Sequence, residues 1–444
     1  MVKNITVNVI GAGLAGCECA YILAKNGIKV KLYDMKPKYK SEAHVSDNFS
    51  ELVCSNSLKS EEVTNACGLL KKEMSILGSL FIDAAYKAKV PAGNALAVDR
   101  DKFSEIITKE MKENKNIEVI YERIDNIESL DGIVVIATGP LTSSELLDNI
   151  RKMIGDDSLY FYDAAAPIVE RDSINMNIAY EMDRYGKGNG DYLNLPMNRE
   201  EYDLFYNELI NASQAERHEF DKLILFEGCM PIEEMARRGE KTLVFGPLKP
   251  VGLDNPKTGE KMYAVVQLRA ENENKTAYNL VGFQTSLKFG EQARVFRLIP
   301  GLENAEFLRY GVMHKNSYIN GSKNLDNNFS LKKNNNIYFA GQISGVEGYV
   351  ESAASGMMVA LSIIARMNNK EIIFPHTTML GSLSKYISTE NDNFQPMNAN
   401  FGIIEPLDIK GKIRDKKVKY EMYSKRSIED INIFKERIGE FYER

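Results

Sequence analysis

Hydrophobic positions at the start of the chain change their period twice before residue 35. Ile5 to Ile10 is a short, β-branched apolar run, the pattern of a parallel strand covered on both faces. From Cys17 to Asn26 the apolar residues Ala20, Leu23 and Ala24 recur at helical spacing, and Gly27 follows as the residue that ends such a helix. A second β-branched run, Ile28 to Tyr33, closes on Asp34. The pattern predicts strand, helix, strand, and it continues in kind. Gly68 to Lys89 reads as a helix, and Pro91 to Arg100 as a glycine-containing turn into a strand. Lys102 to Glu113 reads as a further helix with Asp101 as its cap, and Ile117–Tyr121 and Gly132–Ala137 as strands. Beyond a crossover at Leu159–Pro167 the pattern is mixed. Tyr263–Arg269 and Tyr278–Phe283 suit an antiparallel sheet, and Pro231 is placed to start a helix. Asn336 to Gln342 returns to the buried-strand pattern, and Gly345 to Gly356 opens an apolar helix running to about Met367.

Where the first strand meets the first helix the residues are Gly11-Ala12-Gly13-Leu14-Ala15-Gly16. In a G-x-G-x-x-G turn the first glycine permits the tight bend. The second lets a pyrophosphate approach the backbone, and the third lets the helix pack on the strand. Asp34 falls 18 residues after Gly16, close to the ~20 at which an acid reaches the ribose hydroxyls. A complete unit in one register points to an adenine dinucleotide without choosing between FAD and NAD. The buried strand ending in Ala137-Thr138-Gly139 fits the closing strand of such a half. The late segment Gly341-Gln342 and Gly348-Tyr349, with Glu351 and Ser352 opening the apolar helix, is where a two-segment flavoprotein chain returns to its first domain. That segment favours FAD, with the helix N-terminus facing the flavin. The expected fold is therefore α/β. A Rossmann-type FAD-binding domain is built from residues 1–165 and 325–444, with an α+β insertion domain over 166–324.

Composition narrows the function classes. The 444 residues carry a net charge of −6, which argues against a protein that coats nucleic acid non-specifically. The basic run Lys410, Lys412, Arg414, Lys416, Lys417 and Lys419 leaves room for local phosphate contact. Five cysteines, few and odd in number, suit a reducing cytoplasm rather than a disulfide framework. No Cys/His cluster has zinc spacing, so no metal is expected, and no apolar run reaches membrane-spanning length. Cys54 sits among small hydroxyl and amide residues in Glu51-Leu52-Val53-Cys54-Ser55-Asn56-Ser57-Leu58. Such a loop or helix start can stabilise a thiolate.

These segments resemble the folate- and FAD-dependent RNA uridine-5-methyltransferases, relatives of the larger GidA-like flavoproteins. The likeness runs from Gly11 to Gly402. It includes Glu51–Leu58, Ala95–Arg100, Tyr160–Glu170, Phe226–Ile232, Gly246–Leu253, Ile299–His314 and Phe339–Gly356. It implies C5-methylation of an RNA uridine, with methylenetetrahydrofolate as one-carbon donor, reduced FAD as reductant and NAD(P)H reducing the flavin. The chemistry needs a thiol, because C5 of uracil is a poor nucleophile until a thiolate adds at C6, and it needs a base to take the C5 proton. Cys54 is expected as nucleophile and Cys229 as base or second essential thiol, and Arg100 joins the cofactor contacts. Asp34 stands where the family has Glu, Ser286–Phe289 where it has His and Trp, and His44 stands alone where two are usual. The Asp34 change leaves ribose binding intact; the other departures leave the target open between tRNA, the family default, and 23S ribosomal RNA. An FAD oxidoreductase with Cys54 as redox thiol and a non-catalytic FAD-containing RNA-binding protein are the competing classes.

Overall fold

The computed structural model describes residues 6–41, 43–155, 159–186, 189–215, 230–409 and 413–442. Ile5, the segment from Phe226 to Cys229, Lys410 and Lys412 lie outside them.

The strand–helix–strand start is present as Thr6–Ile10, Leu14–Lys25 and Lys29–Tyr33. The helix begins three residues before the apolar periodicity does, because Gly13 supplies an extended N-cap. Gly27 follows the C-cap Asn26 at φ +75°. Six strands form the first sheet in the order Ser330–Leu331, Asn334–Phe339, Ile133–Ile136, Thr6–Ile10, Lys29–Tyr33, Ile117–Ile120. All neighbours are parallel except the first pair. The late strand Asn334–Phe339 lies directly beside Ile133–Ile136. The sheet is thus built from both ends of the chain. On one face the opening helix packs against Tyr349–Met367 closely enough that a Cβ on Gly356 would stand 2.1 Å from the Ala15 carbonyl oxygen.

A second six-stranded sheet, wholly antiparallel, runs Tyr180–Glu181, Tyr192–Met197, Ala264–Ala270, Ala277–Leu280, Ile168–Glu170, Phe307–Arg309. It has its own hydrophobic core around Tyr202, Phe205, Phe283 and Phe296, separate from the core of the first sheet. The two-stranded ribbon Leu159–Ala164 with Met313–Tyr318 carries the chain out and back.

Three local readings are corrected. Gly68 to Lys89 is two helices, Ala66–Ile76 and Leu80–Lys87, because Gly78 adopts φ +84° and the Ser79 side chain caps the second. The later helix starts at Arg100, not Lys102, and its cap is Asp99, whose carboxylate accepts from the Lys102 N–H. Tyr349–Met367 is long and apolar enough to cross a membrane by length and composition, but 83% of its apolar window is buried inside the protein, as in a core helix.

Candidate active site

At the carboxyl end of Thr6–Ile10 the chain turns at Gly11 with φ +98°. Any Cβ there would lie 2.6 Å from the Ala137 carbonyl oxygen, and one on Gly16 would lie 1.8 Å from the Gly11 oxygen. Both glycines are therefore demanded by packing. Gly13 and Gly139 differ: a Cβ at either would meet nothing within 4 Å. They border a solvent-open cleft at the carboxyl end of the first sheet. Its lining includes Gly11 to Ala15, Asp34, Ala137 to Gly139, Gly341, Gln342, Tyr349 and Ser352. Asp34 accepts from the Ala12 N–H at 2.8 Å and the Lys36 N–H at 2.8 Å, which fixes its carboxylate at the cleft edge. The open space over Gly13 beside a helix N-terminus and a fixed acid fits the pyrophosphate and ribose of FAD.

Gly16, Arg100, Gly348 and Glu351 do not line this cleft. Gly16 serves the helix–strand contact. Gly348 leaves space for Glu351, whose Oε2 would be 2.2 Å from a Cβ there, and Glu351 itself is buried and accepts from the Ala399 N–H. Arg100 sits beside Cys54. Its Nε donates to Glu271 at 2.5 Å, and its other nitrogens donate to the carbonyls of Leu52 at 2.6 Å and Cys54 at 3.2 Å.

Cys54 lies next to the cleft in a half-buried bend, not at a helix start, and the strand Ser57–Ser60 follows it. The Tyr349 hydroxyl, at the cleft wall, accepts from the Cys54 N–H at 2.6 Å and the Ser55 N–H at 3.2 Å. On the other side the Ser50 N–H donates to the Ala12 carbonyl at 3.0 Å, which ties the cysteine loop to the glycine turn. The thiol points at the Ala164 carbonyl, 3.7 Å away. The polar neighbours do not stabilise a thiolate. Burial pushes the Cys54 thiol up to about 12, Asp163 adds to that, and Arg100 opposes it. Ser55 and Asn56 are engaged elsewhere: Arg269 donates to the Asn56 Oδ1 at 2.8 Å and the Ser55 Oγ at 2.7 Å, while Asn56 Nδ2 donates to the carbonyls of Val98 and Ala270. This seam joins the first unit to the antiparallel sheet. Glu347, buried near the same place and hydrogen-bonded by Gln342, has its carboxyl raised well above the ordinary range by burial, with Asp163 and Glu351 adding to the effect.

Sequence reasoning missed Glu271, Arg269, Arg309 and Glu347 as parts of this neighbourhood. Arg269, Arg309 and Glu347 fell within segments singled out beforehand and Glu271 did not, and nothing in their spacing marked a role. Cys17, Cys19 and Cys67 are buried, and burial raises each thiol. Cys67 receives a hydrogen bond from Lys71.

The family model of glucose inhibited division protein A matches residues 6–371. The methylenetetrahydrofolate--tRNA-(uracil-5-)-methyltransferase TrmFO of Fusobacterium nucleatum is 59% identical over 424 residues, 95% of this chain and 97% of that protein. The enzyme of the same name from Acetivibrio thermocellus is 55% identical over 438 residues, 98% of this chain and 99% of its own. Among solved structures, Aquifex aeolicus GidA superposes with a TM-score of 0.71 at 16% identity, covering 98% of this chain and 76% of that one, a likeness of fold. The chain belongs to the TrmFO family of methylenetetrahydrofolate--tRNA-(uracil-5-)-methyltransferases, within the wider glucose inhibited division protein A group.

Proposed function

We propose that this chain methylates C5 of a uridine in tRNA, taking the carbon from methylenetetrahydrofolate, with FAD held in the glycine cleft and NAD(P)H as the source of electrons. The relatives named above act, by their names, on tRNA, so tRNA rather than 23S ribosomal RNA is the substrate of this reading. The observation that carries it is the placement of Cys54: its backbone is bonded to Tyr349, a wall of the cleft, 2.6 Å away. A base reacting at the thiol would then lie against whatever occupies the cleft.

Gly11 to Ala15, with the N-terminus of Leu14–Lys25, would take the pyrophosphate, and Asp34 the ribose. Bound FAD would supply the two electrons that turn the transferred one-carbon unit into a methyl group. The chain's own part is covalent activation. The Cys54 sulfur bonds to C6 of the uracil, electron density moves to C5, and C5 bonds to the carbon delivered by the folate. The C5 proton then leaves to a base, the role assigned to Cys229, and the sulfur–C6 bond breaks. In the free protein the Cys54 thiol holds its proton through burial, so substrate binding has to supply the conditions for its loss. The division of the chain into 1–165 with 325–444, and 166–324, and a cytoplasmic setting belong to the same reading.

The test uses the flavin-loaded protein and a tRNA transcript containing 5-fluorouridine. A covalent adduct resistant to denaturation is expected with the parent, and none with Cys54→Ala. An adduct with the alanine variant overturns the nucleophile assignment. 5-Methyluridine appearing in 23S ribosomal RNA and not in tRNA overturns the substrate.

A further inference from the structure

The antiparallel unit carries three aromatic rings in a nearly parallel ladder. Phe289 stacks on Tyr310 with centroids 4.9 Å apart and planes 14° apart, and Tyr310 stacks on Phe307 at 5.1 Å and 15°. The Arg297 guanidinium lies over Phe307, 5.9 Å from its centroid, and closes the inner end. The outer end is Phe289, 55% exposed. Aromatic pairs inside proteins often meet edge to face, as Phe283 and Phe296 do at 83°. A parallel ladder that ends in an exposed ring instead offers a flat π-face.

The ladder is held rigid. Gln292, on the same helix as Phe289, is fully buried; its Nε2 donates to the Gly311 carbonyl at 2.8 Å, and its Oε1 accepts from the Gly311 N–H at 2.8 Å. That two-way clamp fixes the residue after Tyr310 against the helix Phe289–Phe296. The ladder also reaches the edge of the cleft. Arg309, between Phe307 and Tyr310 in sequence, donates to the Ala43 carbonyl at 3.2 Å, and the next residue, His44, lines the cleft that Tyr349 walls beside Cys54. Lys288, exposed and adjacent to Phe289, suits a phosphate next to a stacked base.

Addition of a sulfur at C6 requires an open face on the uracil, so the reacting base has to leave its stack. The neighbour it leaves behind loses a stacking partner. We propose that the exposed face of Phe289, backed by Tyr310 and Phe307, replaces that partner and stacks the tRNA base adjacent to the uridine that reacts at Cys54. This rests on the tRNA reading above. A flat ring next to a cation matches a nucleotide better than a protein surface, which would cover Leu308 and Phe289 with aliphatic bulk.

The experiment places 2-aminopurine on either side of the target uridine in a tRNA transcript and follows its fluorescence on binding to the flavin-loaded protein. One of the two positions is expected to be quenched by the parent. Phe289→Leu keeps the apolar bulk and loses the ring; it is expected to abolish that quenching and weaken tRNA binding roughly tenfold. Phe289→Trp is expected to restore both, with flavin content and melting temperature unchanged in each variant. Quenching and affinity equal to the parent's in Phe289→Leu overturn the proposal while leaving the tRNA reading intact. A parent that forms no 5-methyluridine in tRNA overturns the reading on which the proposal rests. A loss in Phe289→Leu that Phe289→Trp does not rescue also overturns it, since the ring would not be the cause.

Discussion

At the glycine turn, main chain meets main chain. A Cβ on Gly11 would stand 2.6 Å from the Ala137 oxygen and one on Gly16 1.8 Å from the Gly11 oxygen, and the Gly11 N–H donates to the Tyr33 carbonyl at 2.8 Å. At Cys54 side chains from distant parts of the chain do the holding: Arg100, Tyr349 and, through Ser55, Arg269. The first kind of site tolerates no added atom but has almost no charge to satisfy. The second tolerates changes of volume better than the loss of a partner, because its buried charges depend on one another. A cleft made of backbone can be rigid and open at once, whereas a buried thiol has to be aimed.

The largest expected effect breaks the second region. Arg100→Ala leaves Glu271, 6% exposed, without its guanidinium and removes two bonds from the cysteine loop. A loss of about 3–5 kcal/mol is expected from an uncompensated buried charge, read by denaturant melting, with flavin still bound in the folded fraction. A stability close to the parent's would show that the pair is a bystander. Gly16→Ala strikes the first region. Its Cβ meets a main-chain oxygen, so a cost of about 3 kcal/mol is expected, together with loss of flavin. Gly13→Ala sharpens the contrast, since that Cβ meets no protein atom: the melting temperature is expected to stay and flavin retention to fall. Equal losses of stability in the two glycine variants would erase the distinction between packing and ligand space.

Tyr349→Phe removes the acceptor for the Cys54 and Ser55 N–H groups. About 1–2 kcal/mol of stability is expected to go, with methylation falling more than flavin binding. The smallest effect is kinetic. With the Cys54 thiol pushed up to about 12, alkylation of Cys54 by iodoacetamide should rise roughly tenfold per pH unit from 7 to 10 without levelling, because the thiolate fraction keeps growing below the pKa. An ordinary thiol would level off near its pKa of about 8.5. Levelling at pH 8 would mean that the loop lowers the thiol's pKa after all. Cys54→Ser provides the background.

The glycine cleft was legible in the sequence because everything that makes it is local: Gly11, Gly13 and Gly16 in one turn, Asp34 at the end of the next strand. Even the return of the chain at Gly341 and Tyr349 showed itself as a strand pattern followed by a small-residue helix. The surroundings of Cys54 were not legible. Arg100 and Glu271 are 171 positions apart, and Cys54 and Tyr349 are 295 apart, so no spacing announces them. The polar flank of Cys54 was read as help for a thiolate, but Ser55 and Asn56 spend their hydrogen bonds on Arg269, Val98 and Ala270, and burial decides the thiol instead. The shift from an Asp101 to an Asp99 cap has a simpler cause. Two acids, Asp99 and Asp101, stand two residues apart at the same helix start, and only the folded backbone chooses between them.

The interleaving of the first sheet has a consequence for synthesis. The ribosome delivers Thr6–Ile10 and the glycine turn first, yet the strand Asn334–Phe339 and the helix that packs against Ala15 come only after the whole antiparallel unit. Between them the antiparallel unit, with its own core, emerges. The nascent glycine turn therefore waits, incomplete, for most of the time the chain is being made. A chain stopped short of Tyr349 would lack both a wall of the cleft and the hydroxyl that holds the Cys54 loop. The reactive thiol is brought into position only once the chain has been made past Tyr349 of its 444 residues.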